Sequence, residues 1–242
     1  MRVLVTRPRE DAAPLVAALE ARGHEALLEP LLTILPRDRV DWPDGHAAAQ
    51  ALLATSANGL RAFARRDPRR DLAVFAVGDA SAAAARDLGF STVASAAGDV
   101  ADLAALVSAR LDPAAGPLLH PAAGRLAGDL QGALAQAGFT VLRVVLYDAR
   151  PAAALSAACV DALTAGTVDA VALFSPRTAA SFAGLVSAAG LAPACRGVTA
   201  LCLSEAVAAQ VAGLAWRAVA IAERPDLGAL LAQLDSLENS RT

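Results

Sequence analysis

The sequence predicts an α/β fold of two parallel-sheet lobes joined by a two-stranded linker, and three observations carry that expectation. Short β-rich runs alternate with Ala-rich helical stretches, the second half of the chain echoes the first, and two extended segments interrupt the rhythm as a pair of crossings. At 242 residues there is room for one large domain or two small ones.

The first run, residues 2–6, precedes a stretch in which Leu15, Val16 and Leu19 form an apolar stripe at helical spacing, ended by Gly23. Pro14 fits such a helix only in its first turn, where a missing N–H is harmless. Further runs at 51–56, 73–78, 117–121, 170–175 and 199–204 each lead into an Ala-rich helical segment. Alternation of this kind reads as βαβ units around parallel sheets.

FSPRTAASF around Ser175 echoes TSANGLRAF around Ser56, an offset of 119 residues from 56 to 175. LSEAVAAQVAGLAW shadows VGDASAAAARDLGF, offset by 126 from Gly78 to Ser204, and Asp226-Leu227 shadows Asp102-Leu103, offset by 124. Such small drifts imply a duplicated half-chain of about 120 residues, with loop insertions absorbing the differences. Residues 32–44, with Pro36 and Pro43, and residues 144–151 break the alternation. These matched crossings imply two domains joined by paired strands, with a cleft between them.

Composition narrows the chemistry. All 21 basic residues are Arg, so Schiff-base catalysis, pyridoxal phosphate attachment and a P-loop lysine are excluded. Cys159, Cys195 and Cys202 form neither an even disulfide framework nor a CxxC pair and read as buried thiols. His24, His46 and His120 lack metal-ligand spacing, so no metal is expected. A net charge of −3 gives no nucleic-acid footprint. No apolar stretch is long enough for a membrane helix, and the short apolar start turns polar at Thr6-Arg7-Pro8, so a cytoplasmic protein is expected.

The candidate site residues sit where strands give way to helices. At Thr6-Arg7-Pro8 a helix start exposes N–H groups that attract anions. Arg7 there is either a carboxylate contact or an exposed side chain beside a cap. Ser56-Ala57-Asn58 and Ser175-Pro176-Arg177 place a hydroxyl at a helix start, an arrangement that N-capping alone explains. Their position beyond strand carboxyl ends is also where open parallel sheets bind ligands. Gly78-Asp79-Ala80-Ser81 lacks the later glycines of a dinucleotide turn, and its repeat partner Ser204-Glu205-Ala206 has none. No serine sits in GxSxG, and only His120 lies at a strand end as a candidate base. Tyr147, the one tyrosine, either presents its hydroxyl as a proton donor or clamps the second crossing.

Taken in order, these segments resemble the uroporphyrinogen-III synthase family. VLVTRPREDAAPLVAALEARGHEALLEPLLTI is similar to the family's opening strand, Thr-Arg-Pro turn, helix, glycine and Pro-Leu run. ATSANGLRAF and FAVGDASAAAARDLGF resemble its next two strand-to-helix junctions. LLHPAAGRLAGDLQGALAQAGFTVLRVVLYDARP is similar to its Leu-rich strand, helix, Ala-Gly turn and tyrosine-bearing strand, and ALFSPRTAASF and LSEAVAAQV complete the series. The chain departs from the commoner pattern at Ser204-Glu205, where Gly-Pro is usual, and at His120-Pro121-Ala122, where an Arg-Gly element often stands.

The resemblance implies a discontinuous first lobe at 1–34 and 150–242, a second lobe at 39–146, and linkers near 35–38 and 147–149. It implies a cofactor-free, monomeric enzyme that cyclises hydroxymethylbilane with loss of water and inversion of the last pyrrole ring. Tyr147 would assist departure of the hydroxyl, while Thr6, Arg7, Ser56, Asn58, Gly78, Ser81, Ser175, Arg177 and Ser204 would hold substrate carboxylates. A two-lobed binding or sensor module without catalysis shares the same features. A nucleotide-dependent transferase is disfavoured by the missing glycine signature.

Overall fold

A computed structural model of the protein describes residues 1–124 and 129–239. Along the chain the elements are β1 (Arg2–Val5), α1 (Arg9–Glu20), β2 (Glu25–Leu28), β3 (Leu32–Pro36), β4 (Ala51–Ala54), α2 (Ala57–Ala64), β5 (Ala73–Ala76), α3 (Asp79–Asp87), β6 (Val93–Ser95) and α4 (Val100–Arg110). They continue as β7 (Leu118–Ala123), α5 (Leu130–Gln136), β8 (Val141–Pro151), α6 (Ala157–Thr164), β9 (Ala170–Leu173), α7 (Pro176–Ala188), β10 (Thr199–Cys202), α8 (Glu205–Ala209), β11 (Ala218–Ile221) and α9 (Leu227–Asn239). Residues 125–128, inside the long segment that resembles the synthase family, lie outside the described residues.

The Cα positions separate the chain into two compact units, Met1–Thr33 with Arg150 onward, and Ile34–Ala149. The chain passes between them at Thr33/Ile34 and at Ala149/Arg150, within β3 and β8, which are neighbours at one edge of the second sheet. The first sheet has the order β11-β10-β9-β1-β2, and its strands pair in parallel. The second has the order β3-β8-β7-β4-β5-β6, with β4 to β8 in parallel. Parallel strands covered on both faces carry no polar alternation, which is why β4, β9 and β10 are buried throughout.

Helices cover both faces of each sheet. In the first unit α6, α7 and α8 supply Leu163, Phe182 and Val207 to one face, and α1 and α9 supply Leu15, Leu19 and Leu230 to the other. In the second, α2 and α3 bury Leu60, Phe63 and Ala85 on one face, with Leu103 of α4 and Leu134 of α5 on the other. Each large apolar side chain so buried contributes on the order of 1.5–3 kcal/mol.

The sheet orders explain the internal repeat. β4-β5-β6 and β9-β10-β11 have the same order, with β7-β8 beside the first set and β1-β2 beside the second. Along the chain each βαβ piece precedes a three-strand piece. Each sheet therefore combines the βαβ piece of one copy with the three-strand piece of the other. The equivalence of Asp226 needs correcting by three residues. Asp226 Oδ1 accepts from Ala229 N (2.7 Å) at the start of α9, and Asp99 does the same work for α4. Asp99 is therefore its counterpart, and Asp102 instead supplies the return bond of Asp99's capping box.

Two further expectations change. Pro14 lies well inside α1, beyond its first turn. It is exposed there, so the Glu10 carbonyl that loses its ladder partner faces water. The crossing at 32–44 is a strand only as far as Pro36, and β2, β6 and β11 are short strands that the sequence did not signal.

Candidate active site

Parallel pairing brings the carboxyl ends of β1, β2, β9, β10 and β11 to one edge of the first sheet and those of β4 to β8 to one edge of the second, so the sequence-predicted residues gather in two groups. In the first unit Thr6, Arg7, Ser175, Arg177 and Ser204 follow β1, β9 and β10. In the second unit Ser56, Asn58, Gly78, Ser81 and Tyr147 lie towards the carboxyl edge of that unit's own sheet.

In the first unit Thr6 is fully buried, and its hydroxyl donates to the carbonyl of Ala172 (2.7 Å). That side chain ties β1 to β9 and is not presented to a ligand. The Arg7 guanidinium lies over the Phe174 ring, 4.6 Å from its centroid. Ser175 caps α7, accepting from Thr178 N (3.2 Å) and donating to Thr178 Oγ1 (2.9 Å), with Pro176 at the first helical position. Arg177 is exposed one residue further on. Ser204 occupies the N-cap of α8 without a side-chain cap bond.

The second unit is more tightly built. Ser56 caps α2, its Oγ accepting from Gly59 N at 3.2 Å, and the same Oγ lies 2.9 Å from the Tyr147 hydroxyl. A β-bulge produces this pairing. β7 and β8 keep register through Ala122↔Val145 and then shift to Ala123↔Tyr147, leaving Leu146 as the extra residue. Strict alternation would send Leu146 and Tyr147 to opposite faces, yet both pack in the cluster under α2 and α3. The bulge thus turns Tyr147 towards Ser56. Tyr147 keeps 6% of its surface exposed.

Close packing fixes α2 as well. A Cβ added at Gly59 would lie 2.4 Å from the Pro121 carbonyl oxygen, so only glycine allows this approach of α2 to β7. Asn58 is nearly buried and accepts from Arg61 Nη1 at 3.0 Å. Ser81 is buried in the first turn of α3, whose N-cap Gly78 is extended and has open space where a Cβ would stand. Beside Tyr147, Asp148 pairs bidentately with Arg37 (2.9 and 3.0 Å), which raises the Arg37 pKa.

Two residues outside the predicted set belong here. His120 Nε2 lies 3.0 Å from Thr55 Oγ1, and burial, with Arg143 nearby, pushes the imidazole down to about 4. The ring is therefore neutral near pH 7. Arg143 donates from Nη2 to the carbonyls of Ala123 and Gly124 (both 2.7 Å), and its Nε is buried without a hydrogen-bond partner. His120 was visible in the sequence as a strand-end histidine. Arg143 carried no signal, being one of many arginines within an apolar run.

The three cysteines are buried and free, and burial raises each thiol, Cys159 to about 12 and Cys202 to about 11. Among the described residues no His, Cys, Asp and Glu side chains form a metal-ligating group, and no helix is long and apolar enough to cross a membrane.

Sheets of parallel strands with hydroxyls, an amide and a tyrosine at their carboxyl ends make this a two-unit α/β protein, and strand carboxyl ends are where open parallel sheets bind ligands. The family model described as Uroporphyrinogen-III synthase HemD matches residues 13–232, and the chain belongs to that family. A comparison with curated proteins gives no match. Among solved structures the chain is similar to uroporphyrinogen-III synthetase from Helicobacter pylori, with 17% identity, 98% of this chain and 100% of that chain covered, and a TM-score of 0.63. It is also similar to a mutant uroporphyrinogen III synthase from the extremely thermophilic bacterium Thermus thermophilus, with 21% identity, 99% and 98% coverage, and a TM-score of 0.56. At these identities the likeness speaks for the fold.

Proposed function

We propose that this chain is a uroporphyrinogen-III synthase that cyclises hydroxymethylbilane, losing water and inverting the last pyrrole ring. The observation that carries this function is the family match across residues 13–232. Membership makes the protein an enzyme of tetrapyrrole synthesis. Breaking the substrate's terminal C–O bond to release water makes it a carbon-oxygen lyase. We place it in the cytoplasm, in keeping with three free, buried cysteines, and propose that it acts as a monomer.

Ser56 Oγ, already accepting from Gly59 N, has its own proton free to donate to the Tyr147 oxygen. We assign the Tyr147 O–H as the proton donor to the departing hydroxyl. The C–O bond breaks as this proton passes to oxygen, and the azafulvene electrophile forms. The phenolate recovers a proton when the closed ring regains aromaticity. Much of the reactivity belongs to the substrate, and the enzyme's task is to orient the reacting carbons so that inverted closure wins. Arg7, Arg177 and the strand-end groups at Ser56, Asn58, Gly78, Ser81, Ser175 and Ser204 hold acetate and propionate carboxylates, and Thr6 supports them by fixing the end of β1. Incubation with freshly made hydroxymethylbilane tests the assignment. Type III product is expected, whereas type I alone would mark a binding or sensor module.

A further inference from the structure

The β4–β7 register stops short of the Thr55–Ser56 strand end. Gln50 N donates to Pro117 O, and Leu118 N donates to Thr140 O of the segment entering β8. Around β7, odd-numbered residues therefore turn their main-chain groups towards β4 and even-numbered residues towards β8. Pro121 is odd-numbered and has no N–H to give. The β4–β7 register runs through Ala51↔Leu118 and Leu52↔Leu119, while β7 continues with β8 to Ala123. Thr55 and Ser56 lie past those rungs.

Side chains supply what the ladder lacks, from both faces of the sheet. Thr55 follows Leu53 in alternation and His120 follows Leu118, on the face under α4 and α5. Ser56 follows Leu52 and Ala54, on the face shared with Tyr147 under α2 and α3. The Thr55–His120 contact at 3.0 Å and the Ser56–Tyr147 contact at 2.9 Å thus grip one dipeptide from opposite sides.

We propose that His120 is a positioning residue: through Thr55 it holds the end of β4 against β7, and so keeps Ser56 in register with the Tyr147 hydroxyl. His120 is 2% exposed and touches no ligand in this role. The kinetic consequence rests on the proposed synthase activity, but the geometric one does not.

Tyr147 is the only tyrosine, so protein carrying tyrosine isotopically labelled at Cζ gives a single resonance that reports the phenol's hydrogen bonding. His120→Phe keeps an aromatic ring and removes the bond. It should shift that resonance and lower kcat roughly tenfold, with KM within about twofold. Thr55→Val deletes the same bond from the other partner and should reproduce the shift, and the double variant should add little more. His120→Gln keeps a polar atom within reach of Thr55 and should restore the resonance and kcat. An unmoved resonance in both His120→Phe and Thr55→Val would overturn the proposal, whatever the activity. A shifted resonance in protein that makes no type III product would leave the positioning role standing and remove the synthase reading instead.

Discussion

The Ser56 and Tyr147 hydroxyl oxygens lie 2.9 Å apart although 91 residues of chain separate them. At this contact a helix cap and the proposed proton donor meet. Tyr147→Phe removes the proton and should lower kcat by roughly 10²-fold while leaving KM little changed. Steady-state assays with hydroxymethylbilane check this, and wild-type turnover would remove Tyr147 from the chemistry. Ser56→Ala should cost about 1 kcal/mol through the lost cap, and should lower kcat by less than Tyr147→Phe does.

Gly59 and Gly78 both stand at helix starts, yet their surroundings differ. A methyl at Gly59 meets the Pro121 carbonyl at 2.4 Å, whereas one at Gly78 meets nothing within 4 Å. Gly59→Ala should destabilise by about 1–3 kcal/mol, less the gain in helix propensity. In a protein of this size that lowers Tm by about 2–4 °C per kcal/mol. Gly78→Ala should lose only the modest N-cap preference of Gly over Ala, and so lower Tm by less than Gly59→Ala does. Calorimetry on the two variants decides, and equal Tm values would show that α2 does not press on β7 as described.

Ser175 and Ser204 are repeat-related to Ser56 and Gly78, but only Ser175 uses its side chain as a cap. Its Oγ accepts from Thr178 N, while Ser204 makes no such bond. Ser175→Ala should therefore cost about 1 kcal/mol and Ser204→Ala close to nothing, read by urea denaturation. A rise in KM for Ser204→Ala at unchanged stability would separate a substrate contact from a structural one.

Much of this arrangement was legible because apolar runs and cap residues are local signals. Six strands followed from short β-rich runs, and the caps at Ser56 and Ser175 from serines that precede helical spacing. β6 and β11 were missed because runs of three or four small residues such as VAS and AVAI have no distinctive period. The partners of Tyr147 and Thr55 were not legible. Ser56 reaches Tyr147 only through the lateral order β4-β7-β8 and a one-residue bulge, and neither leaves a mark in sequence. Thr6 misled in the opposite sense. A strand-end threonine resembles a ligand contact, but its hydroxyl satisfies a buried carbonyl.

His120 makes stability depend on pH in a definite direction. Burial first, and then Arg143, lowers its pKa from 6.5 to about 4 in the folded protein. Between those values the unfolded chain binds a proton that the folded chain refuses, so stability rises with pH across the window. The contribution is fully present above about pH 6.5 and is lost progressively as pH falls towards about 4. A shift of this size corresponds to about 3 kcal/mol. His120→Gln cannot titrate and still reaches Thr55, so its stability should be flatter over the same range. Urea denaturation of both proteins at about pH 7 and about pH 4.5 measures the difference. Parallel losses in the two proteins would show that other groups carry the acid sensitivity and that His120 is not held neutral by its burial.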